Sequence, residues 1–459
     1  TASRSPSARV AARSVPAGSP RSRSDLLIDS PKGARTSVPA PFGIPWLMRT
    51  PQPLSLSLGR SLPGLAATLA AVLVTGACSA SSAAPTTSVS PSHPRDASAA
   101  PGWSAASTRV VDELPFTQTE LAAFGEPWAM TFLPGAGETV LVTERTGRMH
   151  VRMPDGILRE VSGVPSVVAR DQGGLGDVIA VPGGGADGRY PIYLSWVVAG
   201  EGTTTGAVVG AATLDLTAAR LDDLRIIWRQ HPTVDGGGHF GHRLALTPDG
   251  RHLFVTSGDR QKFDPAQDLT GTLGKVVRLT VDGAPAPGNP YAGSGASEVW
   301  SMGHRNPLGI AFDPDGRLWS TEMGPRGGDE LNLIEAGGNY GWPIVSNGTH
   351  YDGRDIPDHR AGDGYVAPSA WWDPSVSPSS LLIYSGEAFP QWRGDALFGA
   401  LSGQALIRVD LLGDRTVSGD RYPMRARIRE VEQAPDGSVW VLEDGSPNRP
   451  GRLLRLIPR

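Results

Sequence analysis

The segment Leu244-Ala-Leu-Thr-Pro-Asp-Gly-Arg-His-Leu-Phe-Val-Thr256 carries the turn phrase from which the fold can be predicted. Apolar runs flank Pro-Asp-Gly on both sides, and this tripeptide supplies the turn residues of a β-hairpin. The same phrase, or a close variant of it, begins again at Trp128, Ile310 and Val431. The sequence therefore predicts one kind of hairpin, repeated along the chain.

The spacing of the turn prolines predicts the architecture. Prolines 134, 182, 248, 314 and 435 are separated by 48, 66, 66 and 121 residues, and the last gap is two periods of a unit near 60 residues. Such a unit fits one four-stranded propeller blade with long loops. We therefore expect an all-β fold, a six-bladed β-propeller of four-stranded antiparallel blades. The alternative is a β-sandwich with coincidental Pro-Asp-Gly turns, which the length and the number of repeats disfavour.

Composition excludes several other classes of protein. The 459 residues include 58 Gly and 41 Pro, so more than a fifth of the chain disfavours helices. Beyond residue 78 there are 33 basic and 44 acidic residues, a net charge of −11, which argues against nucleic acid as a partner. The single cysteine, Cys78, excludes an intrachain disulfide framework and a cysteine-based zinc cluster.

The N-terminal part predicts export. Residues 48-77 read as a signal peptide, with a positive leading part and an apolar run too short to span a bilayer. The small residues before Cys78 resemble a bacterial lipobox, so we expect an extracytoplasmic protein whose only membrane attachment is a lipid on Cys78. The alternative is an ordinary signal peptide cut nearby. We expect residues 1-47 to lie outside the native protein, residues 78-112 to be a flexible linker and residues 113-459 to form the propeller.

Several loop segments carry polar clusters that turn chemistry alone does not explain. They read Asp-Gln-Gly-Gly-Leu-Gly (171–176), Gly-Gly-Gly-His-Phe-Gly-His-Arg (236–243), Gly-His-Arg-Asn-Pro (303–307) and Glu-Met-Gly-Pro-Arg (322–326), the last running on to Asn-Tyr-Gly-Trp-Pro (339–343). With the phrase at 273–283 and the closing Arg-Ile-Arg-Glu (427–430), they resemble the soluble glucose/sorbosone dehydrogenase family, in its aldose sugar dehydrogenase branch. The resemblance runs in order from about residue 121 to 459.

This resemblance implies a propeller quinoprotein that uses pyrroloquinoline quinone (PQQ) and Ca²⁺. Such an enzyme oxidises the anomeric carbon of aldose sugars to lactones and passes electrons to an external acceptor, which is a quinone, a dye or a redox protein. His239 matches the catalytic base and Arg305 the arginine that stabilises developing negative charge. The positions that match cofactor contacts are Gln172, Arg305, Asn306, Tyr351, Arg427, Ile428 and Arg429.

Calcium is implied at two places. Gly324 and Pro325 match backbone carbonyls that hold the ion touching PQQ, and Glu330 with Tyr340 matches a second, structural site. The chain departs from the family at Ser402, where a lysine is common. Loss of that charged contact is expected to weaken PQQ binding by about ten- to a hundredfold.

Other functions stay open from the sequence. A propeller that has lost the quinone and binds carbohydrate or protein at the cell surface is the main alternative, and Ser402 supports it. A calcium-dependent lactonase would need several inward carboxylates around one central metal, which the sequence does not display. His239 and His242 could suggest zinc, but no third ligand is evident near them.

Overall fold

The computed structural model describes residues 103–104 and 108–459. The expected upstream segment 1-47, the expected signal peptide 48-77 and Cys78 lie outside these ranges, as does most of the expected linker 78-112. None of the short helical turns within the described ranges has the length and apolar character of a membrane span.

The described strands form six antiparallel blades, which confirms the predicted propeller. Three strands precede the first complete blade, and each of them joins a later sheet: β1 (Trp103–Ser104), β2 (Thr108–Val110) and β3 (Phe116–Phe124). Blade 1 consists of β4 (Pro127–Phe132), β5 (Val140–Glu144), β6 (Arg148–Arg152) and β7 (Leu158–Glu160). Blade 2 consists of β8 (Leu175–Ala180), β9 (Arg189–Ala199), β10 (Thr205–Asp215) and β11 (Arg220–Arg229).

The next two blades carry the longest loops. Blade 3 consists of β12 (Gly241–Leu246), β13 (His252–Ser257), β14 (Lys275–Thr280) and β15 (Val299–Met302). Blade 4 consists of β16 (Pro307–Phe312), β17 (Leu318–Glu322), β19 (Asp329–Ile334) and β21 (Ala370–Trp372). A separate two-stranded ribbon pairs β18 (Arg326–Gly327) with β20 (Gly348–Thr349) and so fixes the loop between β17 and β19.

The last two blades close the ring. Blade 5 consists of β22 (Leu382–Ile383), β23 (Ala396–Ala400), β24 (Ala405–Leu412) and β25 (Arg415–Pro423). Blade 6 consists of β26 (Ile428–Gln433), β27 (Val439–Glu443), β28 (Gly451–Pro458) and the early strand β3, so it is built from both ends of the described domain. Helical structure in the described ranges is confined to four 3-10 turns: Ala186–Gly188, Asp264–Gln267, Ala292–Ser294 and Pro390–Trp392.

The first strands of the blades begin at residues 127, 175, 241, 307, 382 and 428, at intervals of 48, 66, 66, 75 and 46. Each marker proline of the repeat follows the first strand of a blade. β1 and β2 add parallel edge strands to blades 4 and 5. Residues 108–110 are therefore paired with a sheet, although they fall in the segment expected to be a linker.

The hydrophobic core is divided into layers between neighbouring blades. Separate buried clusters lie between blades 1 and 2, 2 and 3, 3 and 4, 4 and 5, 5 and 6, and 6 and 1. Four tryptophans of these clusters are fully buried: 319 and 372 between blades 4 and 5, 392 between blades 5 and 6, and 440 between blades 6 and 1. Each sheet is covered on both faces by its neighbours, so the apolar side chains lie between blades. The polar groups lie in the loops and near the central axis.

Candidate active site

The residues matched to the family's site lie where the innermost strands begin. Gln172 precedes β8, His239 precedes β12, Arg305 and Asn306 precede β16, and Arg427 precedes β26. Gln172, Asn306 and Arg427 line the same cavity, and the backbone N–H of His239 donates to Oε1 of Gln172 at 2.8 Å. The structure therefore brings these five residues to one rim of the propeller.

A histidine–aspartate pair lies at this rim. Nδ1 of His239 is 2.7 Å from Oδ1 of Asp259, and Oδ2 of Asp259 accepts the indole N–H of Trp342 at 2.8 Å. Although burial alone would raise the pKa of Asp259, its bonds to His239 and its other donors lower it, so the carboxylate is ionised. Nδ1 therefore carries the proton and Nε2 the lone pair, as a general base requires.

Burial lowers the pKa of His239, and Asp259 partly opposes this effect. The imidazole is therefore neutral at neutral pH and can accept a proton. Its backbone φ is 51°, in the left-handed region that non-glycine residues rarely adopt. Strain of this kind persists where the surroundings hold a side chain in a required place.

Arg305 is fixed by its backbone and by its guanidinium. The backbone N–H of Arg305 donates to one carboxylate oxygen of Glu322. The other oxygen of Glu322 lies 2.9 Å from Nδ1 of His304. Nη1 donates to the carbonyls of Met323 at 2.9 Å and Gly324 at 2.6 Å. Its Nε, and Oδ1 of the neighbouring Asn306, are buried without a hydrogen-bond partner among the described residues. Such atoms are rare in folded proteins and favour a polar ligand at this place.

A cavity of about 370 Å³ adjoins these groups, which is a size typical of small-molecule sites. Trp128, Phe240, Leu308, Met323 and Leu401 supply apolar and aromatic walls. Arg145, Arg427 and Arg429 supply positive charge. A planar cofactor that carries several carboxylates, such as PQQ, fits this combination of walls and guanidinium groups.

Asp444 holds the two arginines that match the cofactor's carboxylate contacts. Its Oδ2 accepts Nε of Arg427 at 2.8 Å, and its Oδ1 accepts Nη2 of Arg429 at 2.8 Å. One carboxylate is thus shared by two guanidinium groups, which leaves the pair with a net positive charge. Ser402 brings no charge to this region: its exposed hydroxyl lies 2.8 Å from the hydroxyl of Ser377, a residue of the cavity wall.

A second, small cavity of about 10 Å³ is lined by Glu322, Gly324, Glu330 and Tyr340 among others. That volume holds about one water molecule or ion. Glu322 and Glu330 lie directly opposite each other on β17 and β19. Burial, with repulsion from Glu322, raises the pKa of Glu330 well above its usual value. Facing carboxylates in a closed space favour a proton or a cation between them.

Side chains alone do not make a complete metal site here. No group of three or more His, Cys, Asp or Glu residues in the described part of the chain is clustered for metal binding. A calcium ion would therefore depend on backbone oxygens as well as on carboxylates. Gly324 and Pro325 are both buried, and the ribbon of β18 and β20 fixes the loop that carries them.

Two of the expected contact residues lie differently from the rest. The side chain of Tyr351 is mostly exposed, and its hydroxyl is 3.4 Å from Nη2 of Arg305, at the mouth of the site. The side chain of Ile428 packs in the core between blades 5 and 6, and its carbonyl accepts the hydroxyl of Ser379. Ile428 can therefore contribute to the cavity only through its backbone.

Sequence reasoning gave no role to three carboxylates that hold the candidate site residues. Asp259 and Asp444 follow apolar strands and Glu322 is the last residue of β17, where an acidic residue reads as an ordinary turn or strand end. Only their distances to His239, Arg305 and Arg427 reveal their roles. The pairing of strands, which brings these groups together, was the information that the sequence lacked.

Comparison with known proteins places this geometry in a family. Residues 124–455 match the family model described as Glucose / Sorbosone dehydrogenase. The chain is 38% identical over 341 residues to aldose sugar dehydrogenase YliI of Escherichia coli, an alignment that covers 72% of this chain and 90% of the relative.

Solved structures agree. The soluble aldose sugar dehydrogenase of Escherichia coli in its apo form superposes with a TM-score of 0.70 at 36% identity, covering 75% of this chain and 100% of that one. The PQQ-bound form of aldose sugar dehydrogenase from Streptomyces coelicolor gives a TM-score of 0.61 at 26% identity, covering 74% and 98%.

Proposed function

Because the chain belongs to the glucose/sorbosone dehydrogenase family, we propose that it is a sugar dehydrogenase that oxidises the anomeric carbon of aldoses to lactones with PQQ and Ca²⁺. The observation that carries the proposal is the His239–Asp259 pair, which lies on the same rim as Arg305 and the arginine-lined cavity. A PQQ-bound relative of the same fold supports the choice of cofactor.

Each residue of the rim has a defined task in this proposal. Nε2 of His239 accepts the proton of the anomeric hydroxyl, and Asp259 fixes the tautomer and stabilises the imidazolium that forms. Arg305 holds a fixed positive charge where negative charge develops during oxidation. Arg427, Arg429, Gln172 and Asn306 would hold PQQ, which supplies the hydride acceptor when bound.

Calcium would bind at the carbonyls of Gly324 and Pro325 beside the cofactor, and at Glu330 near Tyr340. The facing carboxylates of Glu322 and Glu330 support the second site, because a divalent cation removes their repulsion. The electrons would leave through an external acceptor, either a quinone, a dye or a redox protein.

Reconstitution tests the proposal. Purified protein is incubated with PQQ and Ca²⁺, and sugar-dependent reduction of a dye is followed. We expect activity with aldoses that requires both additions, and none with the corresponding alditols, which lack an anomeric carbon. Absence of PQQ binding in the presence of Ca²⁺ would contradict the proposal and favour the alternative of a non-catalytic binding propeller.

We also propose that the protein is exported and anchored by a lipid on Cys78, on the sequence pattern alone. Mass spectrometry of membrane-fraction protein should find an N-terminal, lipidated Cys78. An unmodified Cys78 would contradict the anchor.

A further inference from the structure

A second histidine lies in the cofactor cavity, and the proposed reaction does not use it. His242 has a φ of 58°, in the left-handed region that disfavours residues with a side chain. Its buried ring stacks on Trp128, with centroids 5.0 Å apart and planes inclined by 14°. Position 176 must be glycine for this ring to fit, because a Cβ there would lie 2.0 Å from the ring's Cε1. The fold therefore accepts backbone strain to place an imidazole at this point.

The hydrogen bonds around Ser195 define the tautomer of this ring. Oγ of Ser195 donates its one hydrogen to the carbonyl of His242 at 2.8 Å, because that carbonyl can only accept. The same Oγ accepts the backbone N–H of Asp177 at 2.9 Å. Nδ1 of His242, 2.8 Å from this Oγ, then completes the set as a donor. Nε2 is left with a lone pair and no hydrogen.

This lone pair faces the cavity. Nε2 of His242 has no hydrogen-bond partner in the described ranges and is not sealed by protein atoms, and the ring forms part of the cavity wall. Burial, with the charges of Arg243 and Arg260, lowers the pKa of His242 to about 3. The ring therefore stays neutral, and the wall offers a hydrogen-bond acceptor at this point instead of a cation.

We propose that His242 is a cofactor-contact residue whose Nε2 accepts a hydrogen bond from an N–H group of the bound cofactor. The inference rests on the proposed function, since PQQ carries three carboxylates and a single pyrrole N–H. A bare nitrogen lone pair repels a carboxylate, whereas Arg427 and Arg429 attract one. The two kinds of wall therefore distinguish the edges of the cofactor, and His242 selects the edge that bears the N–H.

The nitrogen resonances of the histidines test this directly. The protein is labelled with ¹⁵N-histidine, and His242 is assigned by the signal that disappears in the His242→Asn variant. We expect an unprotonated Nε2 with no titration between pH 5 and 8. On addition of PQQ and Ca²⁺ the Nε2 signal should move to the position of a hydrogen-bonded acceptor. A Nε2 signal that does not move while PQQ binds overturns the inference.

Affinity supplies the second measurement. Asparagine tolerates the left-handed backbone but is too short to replace Nε2, so His242→Asn should weaken PQQ binding about 3- to 10-fold, the value of one neutral hydrogen bond. The control is His252→Asn, which removes a histidine of β13 outside the cavity wall and should leave the affinity unchanged.

The possible failures are distinguishable. If the wild type binds PQQ and His242→Asn binds it equally well, the inference about His242 is wrong and the proposed function stands. If the wild type does not bind PQQ, both are wrong. If His242→Asn does not fold, His242→Gly, which suits the left-handed backbone at this position, provides the assignment, and the Nε2 signal of the wild-type protein decides.

Discussion

At the scale of single residues, the basicity of His239 depends on Asp259. The carboxylate accepts the proton of Nδ1 and so leaves Nε2 as the unprotonated nitrogen that the proposed mechanism requires. Asp259→Asn should lower the turnover number about 10²- to 10⁴-fold, because the orientation and charge that support the base are lost. PQQ affinity should change little. The matched control is Asp264→Asn, an exposed aspartate on the same loop, and an unchanged turnover number in Asp259→Asn would contradict the role.

The pH dependence of activity follows from the same pair. A general base works in its unprotonated form, and burial lowers the pKa of His239, so activity should persist below pH 6.5, the usual pKa of histidine. Asp259 raises that pKa, so in Asp259→Asn the acid limb of kcat/KM should shift to still lower pH. A wild-type acid limb above pH 7 would contradict a neutral, buried His239 as the base.

Ser402 is the one position where the sequence predicts a weakened cofactor site. Ser402→Lys should tighten PQQ binding, since an ammonium group would reach the cavity that is proposed to hold the carboxylates of PQQ. Position 402 is exposed, so solvent screening should limit the gain to about tenfold or less. Ser385→Lys adds the same charge at an exposed position away from the cavity wall and should leave the affinity unchanged. Equal PQQ affinities in the two variants, measured by titration, would sink this prediction.

At the scale of elements, β17 and β19 place Glu322 opposite Glu330. The calcium ion proposed at this pair would bind only the folded protein and stabilise it by mass action, so chelation should lower the melting temperature. Without calcium, Glu330→Gln should be as stable as the wild type or more stable, because a neutral amide replaces a buried carboxyl that faces Glu322 and ionises only at a cost. When calcium is added, the melting temperature of the variant should not increase, whereas that of the wild type should. A calcium response that survives in Glu330→Gln would place the ion elsewhere.

The stability of the metal-free protein should depend on pH, and the raised pKa of Glu330 gives the direction of its contribution. The pKa of Glu330 is raised in the folded state, so above pH 4.5 this residue binds more protons in the folded protein than in the unfolded chain. The metal-free wild type should therefore lose stability relative to Glu330→Gln as the pH rises through this range, and calcium should oppose the loss. Thermal unfolding at several pH values, with and without calcium, measures both effects.

The elements also show how far the sequence determines the fold. Four of the six inner hairpins were predicted from a turn phrase, at Trp128, Leu244, Ile310 and Val431, and that of blade 2 was marked by Pro182 alone. The hairpin of blade 5 was missed: its first strand, β22, has only two residues, and a 3-10 turn at Pro390–Trp392 replaces Pro-Asp-Gly. The site residues of the family could be placed by resemblance, whereas partners such as Asp259 depend on contacts between blades that no local pattern encodes.

Around the centre of the propeller, one guanidinium group links five blades and the segment that leads into blade 5. Arg243 belongs to blade 3 and pairs with Asp177 of blade 2 at 3.3 Å and with Glu430 of blade 6. It donates to the carbonyls of Leu308 in blade 4 at 2.8 Å and of Ser379, before blade 5, at 2.5 Å. Its guanidinium carbon lies 4.0 Å from the ring centroid of Trp128 in blade 1. The central axis is therefore closed by one buried cation and two carboxylates.

Removal of this cation should destabilise the whole ring, because two buried carboxylates lose their partner. Arg243→Met keeps much of the side-chain volume, so its cost should come from the uncompensated charges, about 3 to 5 kcal/mol of unfolding free energy.

The pH dependence separates this charge effect from packing. Burial already raises the pKa of Asp177, and it raises that of Glu430 to about 7; without Arg243 both pKa values should rise further. At these two carboxylates the folded variant then binds more protons than its unfolded chain, so the cost of losing Arg243 rises with pH and should be larger at pH 8 than at pH 5. Urea unfolding at the two pH values measures this, with Arg251→Met, a mostly exposed arginine, as the control that should change stability by about 0.5 kcal/mol or less. An equal loss in Arg243→Met at both pH values would mean that packing against Trp128, and not the charge, is what Arg243 contributes to ring closure.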